Sequence, residues 1–141
     1  MQIIRDISSL ESIGGGTIVP TMGALHAGHV RLIEHARREC ECVVVSIFVN
    51  PTHFNSEADF IAYPRTEEAD LAACERAGVS LTFAGRSEDI YSPCFATSDN
   101  VAGLTEPLCV ASRTGHFRGV ATVVTLLLST LRPPSANFGQ Q

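Results

Sequence analysis

The sequence predicts an α/β domain with a parallel sheet and helices on both of its faces, and three observations carry that prediction. The hydrophobic period alternates along the chain between strand-like and helix-like spacing. The run Cys42–Val49 is almost continuously apolar and β-branched, which suits a strand buried on both faces. Glycine and proline marks at Gly14-Gly15-Gly16, Asn50-Pro51, Tyr63-Pro64, Ser92-Pro93, Glu106-Pro107 and Pro133-Pro134 separate the segments. With 141 residues the chain amounts to one domain.

The elements follow in order. Thr17–Val19 reads as a short strand closed by Pro20, and Gly28 to Cys40 as a helix with Val30, Ile33, Ala36 and Cys40 on one stripe. After the buried strand, Thr66 caps a helix over Glu67–Ala77, whose first-turn glutamates favour the positive end of the helix dipole. Gly78 stops that helix and Val79–Phe83 resumes as strand. Gly119–Leu131 places Val120, Val123, Val124, Leu127, Leu128 and Leu131 on one amphipathic face. Pro133-Pro134 ends it, and Ala136–Phe138 begins another strand. Strand alternating with helix implies parallel pairing, and ligands of such sheets sit beyond the carboxyl ends of the strands. That directs attention to Pro20–His29 and Asn50–Phe54.

Composition narrows the function. A net charge of −5 argues against a nucleic-acid surface. All ten cationic residues are arginine, and lysine is absent. The apolar runs are too short and too interrupted for a membrane span, and no secretory signal is visible, so the expected location is cytoplasmic. The five cysteines are odd in number and lack zinc-site spacing, which favours reduced thiols.

The stretch Met22-Gly23-Ala24-Leu25-His26-Ala27-Gly28-His29 joins a strand to a helix and ends in H-x-G-H. Backbone N–H groups at a helix start attract phosphate, and Gly28 would let a ligand approach the main chain. His26 and His29 lie three apart, so one helical turn can aim both imidazoles at the same phosphates. Two merely exposed histidines are the competing reading. Asn50 and His53 follow the buried strand and could hold a small polar substrate. A carboxylate among Glu67, Glu68 and Asp70, at an acidic helix start, could help hold Mg²⁺ on nucleotide phosphates, or the three could simply be solvated. Ser112–Gly119 packs two arginines and a histidine before the long helix, a suitable start for an anion or an ordinary surface loop.

Taken together, the pieces PTMGALHAGH, VSIFVNPTHF, DFIAYPRTEEADL, ASRTGHFRGVATVV and FGQ, in that order from Val19 to Gly139, resemble the pantoate–β-alanine ligase family. The resemblance implies a Rossmann-like fold of nucleotidyltransferase type. It also implies ATP-dependent, Mg²⁺-assisted adenylation of pantoate, followed by attack of β-alanine. It makes Met22, Gly23, Ala24, Leu25, His26, Ala27, Gly28 and His29 the ATP loop, with His29 and His26 catalytic and Gly139 and Gln140 a second ATP contact. Asn50, His53, Phe48, Val120 and Val123 would form the pantoate pocket, and Asp70 a magnesium-associated carboxylate. A homodimer is implied as well, and an apolar stripe left open on the long helix would favour self-association. The pattern departs from the family at His53 (usually Gln), Cys109-Val110 (Glu-Gly) and Leu126 (Lys). Residues 1–141 are expected to be the nucleotide-binding domain alone, truncated before the family's serine-rich second ATP loop and C-terminal lid. The alternative reading is a catalytically impaired nucleotide- or pantoate-binding module of that family. A different H-x-G-H adenylyltransferase fits the NPTHF and GHFRGV segments poorly.

Overall fold

A β-branched segment buried on both faces needs strand partners on both sides and a cover above and below, and the computed structural model supplies all four. The structure describes residues 1–54, 56–90 and 116–139. Five strands pair in the order β1-β4-β3-β2-β5, every neighbouring pair parallel. They are β1 (Gln2–Ile4), β2 (Thr17–Thr21), β3 (Val43–Ile47), β4 (Leu81–Phe83) and β5 (Ser135–Ala136). The helices are α1 (Ala27–Glu39), α2 (Glu57–Ala62), α3 (Glu67–Arg76), α4 (Ser87–Ile90) and α5 (His116–Leu131), with single 3-10 turns at Ile7–Ser12 and Pro51–His53.

The core divides into two apolar clusters, one for each face of the sheet. One joins Ile18, Val44, Leu81 and Phe83 to Val123, Leu127 and Leu131 of α5. The other joins Val19, Val43, Val45 and Ile47 to Ile33 and Ala36 of α1 and Cys74 of α3. Alternate residues of β3 thus serve opposite clusters, as the period of a strand requires. The apolar stripe of α5 is covered rather than open: Val123, Leu127 and Leu131 are buried. Each such side chain contributes about 1.5–3 kcal/mol on burial. Val120, Val124 and Leu128 of the same stripe are half-buried. Among the described residues no helix is long and apolar enough to cross a membrane.

Several boundaries differ from expectation for identifiable reasons. β2 runs through Pro20 to Thr21. Thr17 N–H donates toward β3, so the alternating neighbour positions Ile18 and Pro20 face β5, which pairs only with Thr17 and Ile18. The missing N–H of Pro20 therefore falls where no strand waits for it. Gly78, at φ +76°, ends α3 as expected, while β4 begins only at Leu81. Thr66 occupies the N-cap position of α3 but makes no capping bond; its hydroxyl donates instead to Asp70 Oδ2 at 3.1 Å.

The start of α5 is fixed by a buried polar clamp. Asn50 is fully buried; its Oδ1 accepts from Thr52 N–H (3.1 Å) and Thr52 Oγ1 (2.8 Å), and its Nδ2 donates to the Gly119 carbonyl (3.1 Å). Helix and 3-10 turn approach so closely that a Cβ on Gly119 would stand 2.2 Å from Thr52 Oγ1 and 2.7 Å from its carbonyl oxygen. In Gly119→Ala the gain of about 1 kcal/mol in helix propensity does not offset about 2–3 kcal/mol of overpacking. The urea midpoint is expected to fall by the equivalent of about 1–2 kcal/mol at unchanged slope. A midpoint that rises would show that α5 does not dock here.

Candidate active site

The turn from β2 into α1 leaves N–H groups that the sheet and the helix ladder cannot satisfy. The chain meets most of them with its own side chains. Thr21 Oγ1 accepts from Gly23 N–H (3.2 Å) and donates to the Ser46 carbonyl (2.7 Å). Gly23 at φ +79° and Ala24 at φ +50° then turn the loop through the left-handed region. For Ala24 that conformation costs about 1–2 kcal/mol. The N–H groups of Ala24 and Leu25 converge on the carboxylate of Asp70, at 2.9 Å to Oδ2 and 2.7 Å to Oδ1. Asp70 is only 3% exposed.

The two histidines cap the helix reciprocally. Gly28 N–H donates to His26 Nδ1 (3.1 Å), and His26 N–H donates to His29 Nδ1 (3.3 Å). The rings lie 4.1 Å apart between centroids. A backbone N–H can only donate, so both Nδ1 atoms are acceptors and each neutral ring carries its proton on Nε2. Each imidazole therefore has an N–H left to offer a ligand. The His29 N–H also turns to the His26 side chain, completing a capping box, and leaves the Ala27 N–H without a partner among the described residues. Gly28 is required by the histidine itself: a Cβ there would meet His26 Cε1 at 2.9 Å. The free approach to the main chain expected at this glycine is taken up by the His26 ring.

These groups border a cleft of about 350 Å³, within the usual size of a small-molecule site. Met22, Gly23, Ala24, His26, His29, Phe48, His53, Val120 and Val123 all line it, as do Thr21, Ser46, Tyr63, Val124, Leu127 and Phe138, which sequence reasoning did not single out. Val124 and Leu127 were legible, since they continue the stripe of Val120 and Val123. Phe138 stands 55% exposed at the rim. His53 Nδ1 lies 2.9 Å from Met22 Sδ, and its Nε2 is buried. A thioether has no hydrogen to give, so Nδ1 bears the proton, the opposite tautomer to His26 and His29. Leu25, Ala27 and Gly28 belong to the loop without lining the cleft, and Asn50 sits behind it as the clamp of α5. Gly139 is exposed. Gln140 and Ser112–Gly115 lie outside the described residues.

Asp70 borders an adjoining cavity of about 330 Å³ that shares Met22 and Gly23 with the cleft. Among the described residues no three His, Cys, Asp or Glu side chains gather as a metal cage. With Thr66 the carboxylate of Asp70 receives three donors, two of them on Oδ2. One acceptor position on Oδ1 is left toward the cavity, and the described residues gather no further side chains for a dedicated magnesium site.

Fold and site together define a Rossmann-like α/β domain with a paired-histidine helix start at the carboxyl edge of its sheet. A family model described as pantoate-beta-alanine ligase matches residues 2–141. Pantothenate synthetase of Rhizorhabdus wittichii is 50% identical over 150 aligned residues, covering 100% of this chain and 53% of that protein. That of Geobacter sulfurreducens is 45% identical, with the same coverage. Among solved structures, pantothenate synthetase from Thermus thermophilus superposes with a TM-score of 0.92 at 44% identity, covering 96% of this chain and 51% of that one. The Francisella tularensis pantoate-beta-alanine ligase, complexed with β,γ-ATP and β-alanine, gives 0.88 at 36% identity and covers 55% of that chain. The chain belongs to the pantoate-beta-alanine ligase family. It spans about half the length of the curated relatives it matches.

Burial, and then the neighbouring His26, push the His29 imidazole below its ordinary 6.5, against a smaller upward pull from Asp70. Below 6.5 the unfolded chain therefore binds more protons at this residue than the folded one. Its contribution to stability is complete above 6.5 and is lost as pH falls through the depressed folded value. In ¹⁵N spectra near neutral pH, Nδ1 of both His26 and His29 is expected unprotonated and Nε2 protonated, with His29 titrating below 6.5. A protonated Nδ1 on either ring, or a higher midpoint for His29, would contradict the capping arrangement.

Proposed function

We propose that this chain binds ATP at the β2–α1 turn with pantoate in the adjoining cleft, and performs the adenylation half of pantoate–β-alanine ligation. The observation that carries the reading is the reciprocal imidazole cap. It leaves two Nε2–H donors on rings that line one cleft, with the Ala27 N–H at the adjoining helix start. Phosphate oxygens that gain charge as pyrophosphate departs are what such fixed donors stabilise. A relative supports it, since the Francisella enzyme is complexed with β,γ-ATP and β-alanine.

In this reading a pantoate carboxylate oxygen attacks the α-phosphorus of ATP, the bond to the β-phosphate oxygen breaks, and pyrophosphate leaves. The amine of β-alanine then attacks the acyl carbon and displaces AMP, giving pantothenate after loss of a proton. His29 and His26 donate through Nε2 to the phosphates, with His29 the proton donor. Val120, Val123 and Phe48 supply the apolar wall for the dimethyl part of pantoate. The Ser46 hydroxyl offers a donor to its oxygens, and His53, with its proton on Nδ1 toward Met22, can accept from the substrate's hydroxyl groups. Mg²⁺ accompanies ATP as counter-ion of its phosphates, and no step is assigned to it. A cytoplasmic location and a homodimer complete the reading and rest on the family resemblance.

A second reading is a binding module without turnover. One observation favours it: these 141 residues contain no lysine to meet the departing pyrophosphate. ATP–pyrophosphate exchange separates the two. The first reading expects exchange that requires pantoate and falls about 100-fold or more in His29→Ala. ATP binding without exchange would select the module, and absence of both would overturn the assignment.

A further inference from the structure

Two consecutive left-handed residues, Gly23 at φ +79° and Ala24 at φ +50°, turn the next backbone N–H groups toward one point. Such a concavity binds anions. Here the anion is part of the chain. Asp70 Oδ1 accepts from Leu25 N–H at 2.7 Å and Oδ2 from Ala24 N–H at 2.9 Å, while Thr66 Oγ1 closes on Oδ2 at 3.1 Å. The fit is close enough that a Cβ on Gly23 would stand 3.1 Å from Oδ2.

We infer that Asp70 is a positioning residue for the nucleotide loop and not a ligand of a metal ion. The inference rests on the cleft being the ATP site. Leu25 directly precedes His26, the N-cap of α1, so fixing Ala24 and Leu25 fixes where the helix begins and where its two rings face. The three donors reach both oxygens of a side chain that is 3% exposed. A divalent cation bound there would place its charge against N–H dipoles already directed at the same atoms. Three of the carboxylate's roughly four acceptor positions are taken, so a cation would have only the remaining site on Oδ1, beside a backbone N–H already 2.7 Å away, and no cage of further ligands among the described residues. Thr66 completes the arrangement by forgoing its own helix cap.

Asparagine has the same shape but only one acceptor oxygen, so its amide N–H₂ must oppose a loop N–H. In Asp70→Asn, ATP affinity measured calorimetrically in EDTA is expected to weaken about tenfold or more. Pantoate-dependent exchange is expected to fall about 100-fold. The half-saturating Mg²⁺ concentration should stay the same, with no recovery in excess Mg²⁺ or in Mn²⁺. The ¹⁵N signals of His26 and His29 should lose the separation between acceptor Nδ1 and donor Nε2. Should Asp70→Asn fail to fold, Thr66→Val serves: about fivefold weaker binding in EDTA is expected, while Thr66→Ser behaves as the unchanged protein. Normal ATP binding in EDTA together with recovery in excess metal would overturn the inference in favour of metal ligation. If the unchanged chain binds no ATP, the functional reading fails by itself. The histidine signals then still decide the positioning role, and their invariance in Asp70→Asn and Thr66→Val would overturn it.

Discussion

A strand that turns directly into a helix at the edge of a parallel sheet exposes more backbone donors than the regular ladders can absorb, and each buried one must find an acceptor. In this chain the acceptors come from side chains: the Thr21 hydroxyl, the Asp70 carboxylate and the Nδ1 atoms of His26 and His29. That allocation determines the chemistry. Donors on the inner side of the loop are engaged within the protein, and what remains for a ligand is the pair of imidazole Nε2–H groups with the Ala27 N–H at the helix start.

The opposite wall of the cleft obeys a second constraint. α5 covers one face of the sheet with Val123, Leu127 and Leu131 and lines the cleft with Val120 and Val124. One helix therefore stabilises the core and shapes the site, and its placement cannot drift without affecting both. Asn50 and Thr52 hold its first turns through Gly119. An amide buried in this way is stable because its oxygen and nitrogen both have partners.

Much of this was legible in the residues. The uninterrupted run in β3 announced a strand buried on both faces, and the spacing of α5 announced its stripe. The H-x-G-H turn announced a strand-to-helix junction, and its two histidines do line a cleft. What escaped had no local signal. β1 is three residues long with one buried side chain, so it shows no period. Whether Pro20 ends a strand depends on how far β5 extends beside it, which is a matter of tertiary structure. The partner of Ala24 and Leu25 lies about 45 residues away, and an aspartate in an acidic helix start looks solvated until the loop is seen above it. Asn50 was recognised as important, but its direction, toward Gly119 rather than the cleft, is set by packing.

Central to all of this is a loop organised before any ligand arrives. Amide hydrogen exchange of the 141-residue chain, followed residue by residue with and without ATP, tests that most directly. Preorganisation predicts that Ala24, Leu25 and Gly28 are protected in the free protein and little changed by ATP. Ala27 should exchange readily until the nucleotide is added and slow thereafter. Unprotected Ala24 and Leu25 amides that become ordered only with ATP would contradict it.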